Sequence, residues 1–196
     1  SAQYTGIDYS SEMVRCAKAR FPDVDLRVMD ARDLSIFSSA SFEIAIFSYN
    51  GIDYAGHADR LLILREIHRV LVQGGVLLFS SHNRNSPIVP PRAIANLELS
   101  ADTSKLVKGV FGYLRGLVHG ARMRRLERYE ADYALCNDCA CHYRLLTYYI
   151  TPEAQRVQLE QLGFHGIDAF DLVGALVEFG CDRITDFMIH YLARTG

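Results

Sequence analysis

Six residues combine a reactive or hydrogen-bonding side chain with a position directly after β-type sequence: Asp8, Asp30, Tyr49, Asn50, His82 and Asn83. Open parallel sheets bind ligands at the carboxyl ends of their strands, so chemistry belongs at such positions. A carboxylate there, followed by a helix, can accept both hydroxyls of a ribose through its two oxygens. Asp8 stands in that place, although it could equally serve only the turn before the Ser10 helix cap. Imidazole titrates near neutrality, which makes His82 the candidate general base and a plain loop histidine its alternative. Aromatic faces hold cations, so Tyr49 and Tyr54 are candidates for that task or else ordinary packed tyrosines.

Two further groups draw attention. Cys136-Asn137-Asp138-Cys139-Ala140-Cys141-His142 offers thiolates and imidazole, the preferred ligands of zinc. The spacing is compact and no second ligand pair lies one short domain away, so no metal is expected; Asp138 and His142 could face substrate instead. Lys105, Lys108, Arg115, His119, Arg122, Arg124, Arg125 and Arg128 form a local basic excess, diluted by Glu127 and Glu130. It could recognise an anionic substrate or a membrane surface, and otherwise reads as the solvated face of a lid.

The elements that must position these residues alternate. Gln3 to Asp8 reads as a strand, Ser10 as the cap of a helix ending near Arg20, and Leu26 to Met29 as a second strand running into Asp30. Phe42 to Ser48 is apolar on both faces, as expected of a strand in mid-sheet. His57 to Val72 has helical spacing, with Gly74 as its left-handed cap, and Gly75 to Ser81 returns as a strand. Three prolines then interrupt the alternation. Residues 84–142 form a helical insertion with Gly109, Gly112, Gly116 and Gly120 as soft points. Tyr143 to Ile150 is β-type, Thr151-Pro152 starts a helix that Gly163 closes, and Gly166 to Asp171 and Phe187 to Ala193 are the last strands.

Composition limits what such a chain can do. Its 196 residues, 49% apolar, suffice for one core, and a net charge of −2 supplies no field to attract nucleic acid. No apolar run approaches the roughly 18 residues that cross a bilayer, and the start has no signal-peptide pattern. Five cysteines cannot all pair within one chain, so they are expected to be reduced and the protein cytoplasmic.

Tyr4-Thr5-Gly6-Ile7-Asp8-Tyr9-Ser10, Asp30-Ala31-Arg32-Asp33-Leu34, Phe42-Glu43-Ile44-Ala45-Ile46-Phe47 and Leu71-Val72-Gln73-Gly74-Gly75-Val76-Leu77 together resemble, in order and spacing, successive motifs of class I S-adenosylmethionine-dependent methyltransferases. The resemblance resumes from Tyr148-Tyr149-Ile150-Thr151-Pro152-Glu153 to Gly163-Phe164 and covers about two thirds of the chain. It implies an α/β fold with a doubly wound, Rossmann-like, mostly parallel sheet, an antiparallel C-terminal strand and a helical insertion. It divides the chain into a cofactor-binding core at 1–83, a substrate lid at 84–142 and the rest of the core at 143–196. It implies S-adenosylmethionine as cofactor and a small-molecule acceptor. Asp8, with Tyr9 beside it, would hold the ribose hydroxyls. Asp30 would hold the adenine amino group with the Ala31 amide nearby, and Phe47, Ser48 and Asn50 would border the methionine end, leaving His82 and Tyr49 for catalysis. The family's first strand and Gly-rich loop are not found, so the sequence is expected to be part of a longer chain. A nicotinamide-dependent dehydrogenase and an inert binding module of the same fold are the alternatives.

Overall fold

The computed structural model describes residues 3–86, 110, 114, 116, 118–138, 144–180 and 185–196. The first strand, β1 (Thr5–Asp8), leads into helix α1 (Ser11–Arg20), whose start is fixed by the Ser10 hydroxyl accepting the Met13 N–H at 3.3 Å. Glu12 in its first turn and Lys18 and Arg20 in its last complement the helix dipole. The helix ends at Phe21 because Pro22 disfavours helical backbone in the residue before it. Strand β2 (Asp25–Val28) then pairs parallel to β1, Thr5 opposite Asp25 and Asp8 opposite Val28. This is one complete strand–helix–strand unit of the α/β pattern, and it stands as a two-stranded parallel sheet of its own.

A second, seven-stranded sheet is built around β4 (Leu71–Asn83). On one side β4 pairs parallel with β3 (Phe42–Phe47), and it pairs antiparallel with β9 (Met188–Thr195), which in turn pairs with β8 (Phe164–Phe170). At its far end, His82 and Asn83 run parallel to Tyr149 and Ile150 of β7 (Thr147–Ile150). Antiparallel β6 (Tyr133–Cys136) and β5 (Arg128–Tyr129) extend the sheet beyond β7. Helix α2 (His57–Val70) places Ile63, Leu64, Ile67 and Val70 in the core against Leu77 and Phe79 of β4 and Ile189, Tyr191 and Ala193 of β9. Burying such aliphatic side chains stabilises by about 1.5–3 kcal/mol each relative to exposure, which is why α2 holds so firmly to this sheet. Helix α3 (Pro152–Gln161) begins with Pro at its first position and with the Thr151 hydroxyl accepting the Ala154 N–H at 3.2 Å.

Several expectations are corrected. The larger sheet is mixed rather than mostly parallel: β9 returns against both β4 and β8, and the β5–β6–β7 meander adds two more antiparallel pairings. The end of the insertion is therefore a hairpin of strands Arg128–Tyr129 and Tyr133–Cys136 and not helix, because Arg128 and Tyr129 pair with Leu135 and Ala134. Prolines 87, 90 and 91, Lys105, Lys108, Gly109, Gly112, Arg115, Cys139, Cys141, His142 and Cys181 lie outside the described residues. Strand β3 is not in mid-sheet, since among the described residues it pairs with β4 alone. Its Ala45 and Phe47 pack on the core, while Ile44 and Ile46, one pleat away, are 58% and 66% exposed. Gly74 does adopt the left-handed conformation (φ 73°), but α2 has already ended at Val70. Gly74 sits instead within β4, where the register against β3 shifts between Phe42 and Ile44. A left-handed residue inside a strand is the mark of a bulge rather than a cap.

Candidate functional site

The strand-end residues fall into two groups, one on each sheet. On the smaller sheet, Asp8 and Asp30 follow adjacent parallel strands, and the Met29 N–H donates to the Asp8 carbonyl at 2.9 Å, so both acids leave the sheet on the same edge. The Asp8 Oδ1 accepts the Ser10 N–H at 2.8 Å, which is the turn contact, and leaves Oδ2 without a hydrogen bond to the described residues. Tyr9 points outward, 83% exposed. Asp30 is more fully occupied: it accepts the Arg32 N–H at 2.9 Å and is gripped by the Arg32 guanidinium at 2.6–3.1 Å. Arg32 holds the Asp30 carboxyl below the usual carboxylate range. A ligand amino group would share Asp30 with Arg32. The loop that follows is pinned by α2, with the Glu66 carboxylate accepting the Leu34 N–H and Arg69 donating to the carbonyls of Leu34 and Phe37, all at 2.9 Å. Ala31 packs on the main core.

On the larger sheet the chain leaves β3 through Ser48 and turns sharply. Tyr49 (φ 55°) and Asn50 (φ 53°) are consecutive non-glycine residues in the left-handed region, a conformation costing on the order of 1–3 kcal/mol each that persists only where surroundings impose it. The turn throws Tyr49 into solvent, 94% exposed, and buries Asn50. The Asn50 N–H donates to the Ser80 hydroxyl at 3.2 Å, that hydroxyl donates back to the Asn50 Oδ1, and the Asn50 amide stands 3.5 Å from the His82 Nε2. Asn50 and His82, from neighbouring strands, are thus brought together; Tyr49 makes no such contact.

Beneath His82 lies a buried ionic network that strand-end reasoning does not reach. A 3-10 turn, Gly51–Tyr54, carries Asp53, and the first turns of α2 carry Arg60; both side chains are 0% exposed. Asp53 Oδ1 accepts from the Arg60 guanidinium at 2.5 Å and from the Ser81 hydroxyl at 2.7 Å. Its Oδ2 accepts from the His82 backbone N–H and stands 2.7 Å from the His82 Nδ1. Arg60 also donates to Ser81 (3.1 Å), Gln155 (2.6 Å) and Gln158 (3.3 Å), and lies 4.6 Å over the Tyr148 ring. Buried charges survive when every donor and acceptor is matched, and here they are. One signal in the sequence points to this network: Arg60 occupies the same helical stripe as Ile63, Leu64 and Ile67, where a charge requires a buried partner.

The wall beside His82 comes from β7. The Tyr149 ring is 5.0 Å from the imidazole, and its hydroxyl donates to Asp138 Oδ2 at 3.0 Å. Burial, reinforced by Asp138, pushes the Tyr149 phenol well up, so it stays protonated. Burial likewise raises the Cys136 thiol to about 12, which leaves it a poor thiolate and a poor metal ligand. Cys16 and Cys136 are free thiols, and no group of three potential metal ligands occurs among the described residues.

Residues 1–75 match the family described as "Methyltransferase domain". Searching curated proteins by sequence gives no match. Among solved structures, a SAM-dependent methyltransferase from Methanosarcina mazei is 19% identical, with 97% of this chain covering 81% of that one at a TM-score of 0.58. An S-adenosylmethionine-dependent methyltransferase from Clostridium acetobutylicum is 15% identical, with 100% covering 76% at 0.63. The 1,6-didemethyltoxoflavin-N1-methyltransferase of Burkholderia thailandensis, solved with 1,6-didemethyltoxoflavin and S-adenosylhomocysteine bound, is 12% identical, with 97% covering 60% at 0.55. The family match is confined to residues 1–75, and over the whole chain the likeness to these solved methyltransferases is one of fold.

Proposed function

We propose that the protein transfers the methyl group of S-adenosylmethionine to a small-molecule acceptor bound at the carboxyl edge of its strands. The observation that carries this reading is that Asp8 and Asp30 leave β1 and β2 on one edge, while Asn50 and His82 meet at the ends of β3 and β4. Asp8, through its open Oδ2, takes the ribose hydroxyls with Tyr9 alongside; Asp30 and the Ala31 amide take the adenine. Phe47, Ser48 and Asn50 border the methionine end, and Tyr49, which stands in solvent beside them, would have to turn inward to cover the cation. A small-molecule acceptor is supported by the Burkholderia enzyme's bound ligand.

A lid that excludes water from the reacting atoms would be supplied by the segment 84–142, most of which lies outside the described residues. No helix among the described residues is long and apolar enough to cross a membrane, and the free thiols of Cys16 and Cys136 accord with a reducing, cytoplasmic setting. Isothermal titration of the protein with S-adenosylhomocysteine tests the reading. Saturable binding, competed by S-adenosylmethionine and not by NAD, is expected. Binding of NAD instead would establish the dehydrogenase alternative, and binding of neither would leave the fold as an inert module.

A further inference from the structure

We infer that Asp53, held by Arg60, fixes His82 as a base for acceptors that must lose a proton, namely O–H or ring N–H groups. This rests on the methyl-transfer reading above and narrows its substrate class.

Asp53 is the buried centre of the arrangement. Its two oxygens face the Arg60 guanidinium, the Ser81 hydroxyl and the His82 backbone N–H. A carboxylate so surrounded is an acceptor only, so the fourth contact, His82 Nδ1 at 2.7 Å, must be a donor. In the neutral ring the proton therefore sits on Nδ1 and the lone pair on Nε2. The backbone and ring of His82 bind the same Oδ2, which fixes the ring's orientation as well as its tautomer. On its other side, among the described residues, Nε2 meets the Asn50 amide alone at 3.5 Å, too long for a firm hydrogen bond. The side chain retains 17% exposure, so it is reachable.

The design resembles a nucleophile-activating pair in which a buried acid orients a histidine. Arg60 makes it durable: without that cation, Asp53 would be an uncompensated buried charge. Asp53 and Arg60 are positioning residues, and His82 alone would touch the acceptor. In the reaction the acceptor X–H gives its proton to the His82 Nε2 while the X lone pair forms the new bond to the methyl carbon. The carbon–sulfur bonding pair passes to sulfur, and the sulfonium becomes a neutral thioether. The imidazolium, paired with Asp53, then releases its proton to water. An acceptor already anionic, such as a thiolate, would gain little from this arrangement.

The test has two arms. Long-range proton–nitrogen NMR on the protein saturated with S-adenosylhomocysteine should show His82 as the Nδ1–H tautomer, and Asp53→Asn, by offering a donor, should shift it toward Nε2–H. An Nε2–H tautomer in the wild type overturns the proposal. In the second arm, phenol, uracil and thiophenol are supplied with S-adenosylmethionine. Transfer to phenol or uracil should fall by about a hundredfold or more in His82→Ala and recover in part with added imidazole, while thiophenol is much less affected. Unchanged rates in His82→Ala, or transfer to thiophenol alone or to none of the three while S-adenosylhomocysteine still binds, overturn the acceptor class. Failure of S-adenosylhomocysteine to bind the wild type overturns the methyl-transfer reading instead. His82→Ala remains informative if Asp53→Asn fails to fold, because His82 is not in the core.

Discussion

Arg60 donates to four side chains without any access to water, so its removal has a cost that can be stated in advance. Arg60→Met keeps the aliphatic stem but leaves Asp53 buried without its cation. Breaking a buried pair in this way costs about 3–5 kcal/mol, and urea denaturation should show the midpoint falling accordingly. A loss below 1 kcal/mol would mean the pair is not as dry as its burial indicates. Asp8 answers a different question. Its Oδ1 is committed to the Ser10 turn and its Oδ2 is open, so Asp8→Ala should weaken S-adenosylhomocysteine binding by about ten- to a hundredfold, the value of a charge-assisted pair of hydrogen bonds. An unchanged dissociation constant in calorimetry would return Asp8 to its turn. The strand-end rule singled out Asp8, Asp30, Asn50 and His82 from sequence as residues closing extended runs, although His82 lies within β4, which continues to Asn83. It missed Asp53, which follows a left-handed turn rather than a strand, and whose partner lies seven residues on across a change of element.

At the scale of elements, caps and turns were legible while sheet partners were not. Ser10 before α1 and Thr151-Pro152 before α3 announce themselves locally, because a cap is decided within four residues. Strand direction is decided by partners distant in sequence: β9 lies beside β4 more than a hundred residues later, which local pattern does not encode. A pair of the left-handed glycines shows how place alters consequence. Gly163 (φ 93°) ends α3, and a methyl group there would lie 2.9 Å from the His68 Nε2; Gly74 (φ 73°) has open space around it. Both alanine variants bear the conformational penalty of about 1–2 kcal/mol. Gly163→Ala must also displace the His68 ring from its edge contact with Phe164, so its thermal midpoint should fall further than that of Gly74→Ala. Equal shifts would show the ring to be freely displaced. Removing the cap with Thr151→Ala should cost about 1 kcal/mol by the same measurement.

At the scale of the whole molecule, stability against acid is set by where charge can be tolerated. His57, at the start of α2, stacks 4.2 Å from the Tyr133 ring and places its Nδ1 2.8 Å from the Tyr148 hydroxyl, joining α2 to β6 and β7. Burial pushes its pKa below the ordinary histidine value, with the Arg60 charge acting the same way and Glu130 opposing. The folded state therefore resists protonation that the unfolded chain accepts. Its contribution is complete above the unfolded value of about 6.5 and is lost as pH falls through the lower folded value. Glu66, held low by Arg69, and Asp30, held low by Arg32, behave alike further down, their contribution present above about pH 4 and lost as pH drops through their folded values. Urea midpoints taken from pH 8 to pH 3 should thus decline in two stages. His57→Phe preserves an aromatic ring for the stack and removes the titrating group, so it should flatten the upper stage and leave the lower one in place. An upper stage of equal depth in that variant would assign it to another group and return His57 to a purely packing role.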